Sequence, residues 1–110
     1  MNIRGAKMKR TERIQKMEQT LDASAIAVKK LSEAMDEYER AQKDIKNLFD
    51  YYGSVLWMQD YEADEAGKLP KALKRGVLSE DAVYELITEH RELMARLSKA
   101  VTATLEKNML

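Results

Sequence analysis

This chain of 110 residues contains no cysteine, one histidine, one proline and four glycines. Without thiols there is no disulfide framework, thiolate metal site or cysteine nucleophile, and a reducing compartment is permitted, so the chain reads as cytoplasmic. A single imidazole leaves most acid-base and metal chemistries short of parts. Neither sign of charge dominates, since 19 Lys and Arg stand against 19 Asp and Glu. That balance argues against a protein built mainly to bind nucleic acid or an anionic membrane. Long apolar runs are missing too: the run at residues 55–58 is far too short to span a bilayer. The basic residues Arg4, Lys7, Lys9 and Arg10 have no apolar stretch behind them to make a signal peptide. No membrane partner, metal or cofactor is expected.

Helix-forming residues are what the chain has in quantity. Ala, Glu, Lys, Leu and Arg make up about half of it, a composition typical of long helices and coiled coils. At this length one domain is expected, over residues 10–110, preceded by a flexible tail at residues 1–9 that lacks periodicity. From Ile14 onward apolar residues recur at alternating steps of three and four: Met17, Leu21, Val28, Leu31, Met35, Tyr38, Ile45, Phe49 and Tyr52, with Ser24 and Gln42 as polar exceptions. Thr11 followed by Glu12 suits a helix start and Gly53 a stop, which predicts one helix of about 42 residues, roughly 63 Å long.

Two shorter helices follow. Ser54 is placed to cap the first, which carries Val55, Trp57, Met58 and Tyr61 and ends near Gly67, with Pro70 just beyond. Residues 67–78 read as a connector. Ser79 caps the last helix, with Glu80 and Asp81 at its positive end and Leu78 positioned to staple against Val83. The stripe of this helix runs through Val83, Ile87, His90, Met94, Leu97, Val101 and Thr104. The second and third helices, at about 20 and 44 Å, together match the first. The expected fold is therefore all-α: a long N-terminal helix packed antiparallel against a short middle helix and a C-terminal helix, a coiled-coil-like three-helix bundle. Ala25, Ala34, Ala41 and Leu48 flank the long seam, and an uncovered flank would drive dimerisation.

The central segment reads Tyr51-Tyr52-Gly53-Ser54, then Trp57 and Asp60, then Gly67-Lys68-Leu69-Pro70 and Leu73-Lys74-Arg75-Gly76-Val77-Leu78-Ser79-Glu80-Asp81. In these residues the chain resembles a bacterial family, the domain of unknown function 4298, over roughly residues 10–97. The resemblance implies a small helical protein of bacterial or phage-like origin and transfers no catalytic residue. Val55 and Leu56 depart from the acidic or polar residues the family pattern implies after the capping Ser, a change that would alter a surface.

Five of the seven aromatics, Phe49, Tyr51, Tyr52, Trp57 and Tyr61, fall around the bend between the first two helices. They serve either as a small core or as a partner-binding hot spot, for which Trp and Tyr are suited. The candidate partner-binding set is Tyr51, Val55, Leu56, Trp57 and Tyr61, with Trp57 expected to be buried and some of the others exposed. Next to it, Asp60, Glu62, Asp64 and Glu65 precede Lys68, Lys71, Lys74 and Arg75. The acidic half fails as a calcium loop, because Glu65 stands where Gly is needed and Lys71 where the closing Glu is needed. The basic half lacks the spacing of a phosphate loop. Together with the basic tail, Lys68, Lys71, Lys74 and Arg75 form the alternative, a nucleic-acid patch.

His90 lies on the inward stripe of the last helix, where it is expected to hydrogen-bond Tyr38 or a carboxylate rather than act as a base. Ile87 stands where a helical di-iron site needs Glu. Ser54 and Ser79 read as caps, not nucleophiles. These residues together point to a non-enzymatic interaction protein, an adaptor, regulator or small inhibitor that binds another protein, as a homodimer or in a hetero-complex. A nucleic-acid-associated protein ranks second and an enzyme third.

Overall fold

The computed structural model describes the backbone of residues 3–109 and the side chains of residues 9–109. Among the described residues there are three α-helices and no strand: α1 (Ile3–Tyr51), α2 (Val55–Glu65) and α3 (Ala82–Glu106), with a 3-10 turn at Gly76–Leu78 leading into α3. The all-α class, with a long first helix and two shorter ones, is what the chain adopts. None of the described helices is long and apolar enough to cross a membrane.

The helix ends follow from local chemistry. Gly53 takes φ +78°, a left-handed conformation open to glycine at little steric cost, and α1 stops just before it. Ser54 then sits in an extended conformation, and its Oγ accepts the Trp57 N–H at 3.2 Å, capping α2. At the other end of α2, Gly67 has φ +69°. There the Lys68 N–H donates to the Ala63 carbonyl and the Gly67 N–H to the Asp64 carbonyl, both at 3.0 Å. These are the paired bonds of a Schellman stop. Ser79 Oγ accepts the Ala82 N–H at 3.2 Å while its own hydroxyl donates to the Gly76 carbonyl at 2.8 Å. The residue at the N-cap of α3 is Asp81, whose side chain makes no capping bond, so Ser79 does not take the expected cap position and instead ties the start of α3 to the 3-10 turn from two residues upstream.

The start of α1 differs from expectation. The helix is already formed at Ile3, so Thr11 lies inside it instead of capping it, and residues 3–9 of the expected tail have helical backbone. Only Gly5 in that stretch disfavours helix, and extending an existing helix costs far less than nucleating one. Residues 1 and 2 lie outside the described residues.

The chain divides into two compact units, Met1–Lys43 and Asp44–Leu110. In the first, the apolar stripe of α1 is open to solvent: Ile14, Met17, Leu21, Val28, Leu31 and Met35 are all exposed, as is Ile26. In the second unit α2 and α3 both touch the 3-10 turn. Among the described residues the buried side chains of this unit are Trp57, Leu78 and Val83, one from each of these elements. Leu78 and Val83, the expected staple, thus lie in the core. Ile45, Leu48 and Phe49 of α1 and Ile87, Met94 and Leu97 of α3 are half-buried.

Candidate functional site

The bend after α1 is organised around Trp57. Its indole is 7 % exposed, and Nε1–H donates to the Val77 carbonyl at 3.0 Å, which ties α2 to the 3-10 turn. Tyr52 meets it edge-on at a centroid distance of 5.2 Å, and Tyr61, one helical turn further on, stacks on it at 5.4 Å. The phenols continue the tie. Tyr52 O–H donates to the Glu80 carbonyl at 3.0 Å, and Tyr61 O–H donates to Glu80 Oε1 at 3.3 Å. Two tyrosines therefore hold the residue that opens the approach to α3. Of the candidate partner-binding residues, Trp57 is thus a core residue, and Tyr51 and Tyr61 are half-buried with their hydroxyls engaged.

The other two face outward. Val55 is 75 % and Leu56 65 % exposed on the first turn of α2, with Met58 also exposed beside them. The bend therefore separates an inward aromatic cluster from an outward aliphatic patch.

Tyr51 O–H donates to Asp60 Oδ2, which joins the last turn of α1 to α2. The Tyr51 phenol is pushed up to about 12, first by that hydrogen bond, then by desolvation and by the negative charge of Asp60. The Tyr61 phenol is also raised, chiefly by Glu65 and then by Glu80. A raised phenol favours the neutral form in the folded chain, so the stability it confers is complete below the ordinary tyrosine value near 10. It is lost as pH climbs from about 10 through about 12. An ultraviolet titration should show Tyr51 and Tyr61 ionising late, and Asp60→Asn should return Tyr51 towards its usual range. If Asp60→Asn left the titration curve unchanged, the Asp60 contact would not be the cause.

The basic segment does not act as one group. Lys68, Lys71 and Lys74 are exposed. Arg75 is turned inward: one guanidinium nitrogen donates to Asp64 Oδ1 at 2.6 Å, and the other to the carbonyls of Pro70 and Lys71 at 3.1 and 3.2 Å. Arg75 thus clamps the connector onto the end of α2, a structural role that the spacing of the basic residues did not reveal. The tail residues Arg4 and Lys7 lie where no side chain is described.

His90 is half-buried, and its ring meets Phe49 edge-on at 5.4 Å, so α3 and α1 touch there through two rings. An open depression on α3 is lined by Glu89, Glu92, Leu93 and Arg96, and not by His90, Ser54 or Ser79. Among the described residues no group of three or more His, Cys, Asp or Glu is placed to hold a metal ion.

The helices, the capped bend and the clamped connector define an all-helical domain with a tied aromatic corner. The family model described as Domain of unknown function (DUF4298) matches residues 14–100, and the chain belongs to that family. The match takes in the whole α1 stripe from Ile14, the bend, the connector and most of α3. No curated protein and no solved structure matches the chain.

Proposed function

We propose that the chain is a non-enzymatic protein-protein interaction module, an adaptor, regulator or small inhibitor acting in the cytoplasm of a bacterial or phage system. The observation that carries this reading is the exposed stripe on α1, where Ile14, Met17, Leu21, Val28, Leu31 and Met35 stand 39–68 % exposed along one helix face. Scattered apolar residues on a surface need no explanation, whereas a periodic apolar face marks a binding surface. Val55 and Leu56 offer a second, smaller patch at the bend. The Ser54 hydroxyl is occupied as a helix cap, and the Ser79 hydroxyl bonds the Gly76 carbonyl and the Ala82 N–H. The nucleic-acid reading loses support from Arg75, whose donors are taken by Asp64 and two carbonyls.

Affinity capture from cells tests the proposal, with native chain compared against Leu21→Glu/Leu31→Glu and against Val55→Asp/Leu56→Asp. Native fluorescence of Trp57, the single tryptophan, serves as the folding check. At least one pair should reduce a captured protein roughly tenfold or more, as expected for hydrophobic anchors replaced by charge. A captured set identical for all three chains would refute the reading.

A further inference from the structure

We propose that the α1 stripe is the interface of a parallel, in-register homodimer, an inference that rests on the interaction-module reading and names its partner as a second copy of this chain. The spacing is a strict heptad. Ile14, Leu21, Val28 and Met35 occupy one core position, and Met17, Ser24 and Leu31 the other. A repeat of 3.5 residues keeps its face towards a neighbour only when two helices wind around each other. The six apolar residues of this stretch are 54, 52, 61, 68, 57 and 39 % exposed in chain order. Together they present on the order of 600 Å² of side-chain surface. A symmetric pair would bury about twice that, within the range of about 1,200–2,000 Å² for stable specific interfaces once flanking stems are included.

The polar layer selects the orientation. In a parallel, in-register pair each core residue faces its own copy, so Ser24 meets the partner's Ser24 and the two hydroxyls can hydrogen-bond. In an antiparallel pair the two core positions alternate across the seam. Ser24 would then face Ile14, Leu21, Val28 or Met35 in any heptad register, burying a hydroxyl against an apolar side chain. The flanks agree with the parallel choice. Arg13 would lie beside the partner's Glu18, while Thr20, Ala27 and Ala34 would lie beside Ala25, Ser32 and Glu39 of the partner subunit, with no like charges opposed. β-branched Ile14 and Val28 at the first core position, with Leu31 at the second, are the choices that favour two parallel strands.

Sedimentation equilibrium of the purified full chain should show a reversible dimer. Leu21→Glu/Leu31→Glu should weaken it by about a hundredfold or more while Trp57 fluorescence stays native. Ser24→Cys, a small change that keeps the test open should the glutamates disturb the helix, should form a disulfide-linked dimer on mild oxidation. Asp22→Cys, on the outer face of the same turn, should not, and the chain has no cysteine of its own to compete. A monomer at every concentration, a dimer indifferent to the glutamates, or a Ser24→Cys chain that crosslinks no better than Asp22→Cys overturns the pairing. The wider interaction reading survives such a result if capture from cells still depends on Leu21 and Leu31 or on Val55 and Leu56. It falls separately if capture depends on neither pair.

Discussion

Trp57→Ala should abolish cooperative folding of the Asp44–Leu110 unit. The side chains buried there are Trp57, Leu78 and Val83, and Trp57 is the largest of them. Its removal deletes the stacking surface for Tyr61 and Tyr52 and strips the Val77 carbonyl of its donor. A buried aromatic truncated to Ala typically costs about 3–5 kcal/mol. A unit of this size holds only about 3–10 kcal/mol in total. Urea unfolding followed by circular dichroism should lose its sigmoidal transition, with helical signal reduced before any denaturant is added. Trp57→Phe separates the two contributions: it keeps a ring against the tyrosines and orphans only the carbonyl, for a cost of about 1–3 kcal/mol and a transition that remains cooperative. A Trp57→Ala chain that unfolds within about 1 kcal/mol of the native one would show that the core does not depend on this residue. The pair also bears on function. If Trp57 acts only as core, Trp57→Phe retains the captured partner, whereas Val55→Asp/Leu56→Asp loses any partner bound at the bend.

Much of this architecture is legible in the residues because it is set locally. Ser54 caps α2, Ser79 accepts the N–H three residues on, and Gly53 and Gly67 supply positive φ where a helix must stop. Each of these depends on a handful of neighbours in the chain. The inward place of Trp57 is legible for a different reason, since five aromatics crowd a bend that needs sealing. The start of α1 was missed because Thr11-Glu12 has the form of a start signal while nothing before it forbids helix, and an existing helix extends at little cost.

Cover is the harder property. Periodicity shows that residues 14–35 carry a helix face meant for burial, and matching helix lengths suggested that α2 and α3 supply the cover. Within the Met1–Lys43 unit that face is exposed. A heptad pattern is the same whether its partner belongs to the same chain or to another, so the sequence pattern alone cannot distinguish them. Ser24, which reads as a minor interruption when the partner is in cis, becomes the residue that decides orientation when the partner is a second copy.

Arg75 was the least visible feature, and its substitution gives the second large effect. Asp64 lies eleven residues earlier, across an irregular connector, and no helical or strand period relates the two. The pair is partly sheltered, with the Arg75 side chain 33 % and the Asp64 side chain 22 % exposed. A surface ion pair alone contributes little, about 0–1 kcal/mol. Here the same guanidinium also satisfies the carbonyls of Pro70 and Lys71, so one side chain fixes the connector at three points. Arg75→Ala should destabilise the Asp44–Leu110 unit by about 1–3 kcal/mol, measured by urea unfolding. Arg75→Lys should recover only a small part of this, because an ammonium keeps the charge but cannot reproduce the planar fork that reaches an acid and two carbonyls at once. A double-substitution cycle with Asp64→Ala isolates the ion pair from the carbonyl bonds. The nucleic-acid alternative predicts the opposite profile: unchanged stability and weaker, salt-sensitive binding for Arg75→Ala, with Arg75→Lys close to native. A stable Arg75→Ala chain that lost affinity for single or double strands would therefore move Lys68, Lys71, Lys74 and Arg75 from connector to binding surface, and would displace the interaction-module reading.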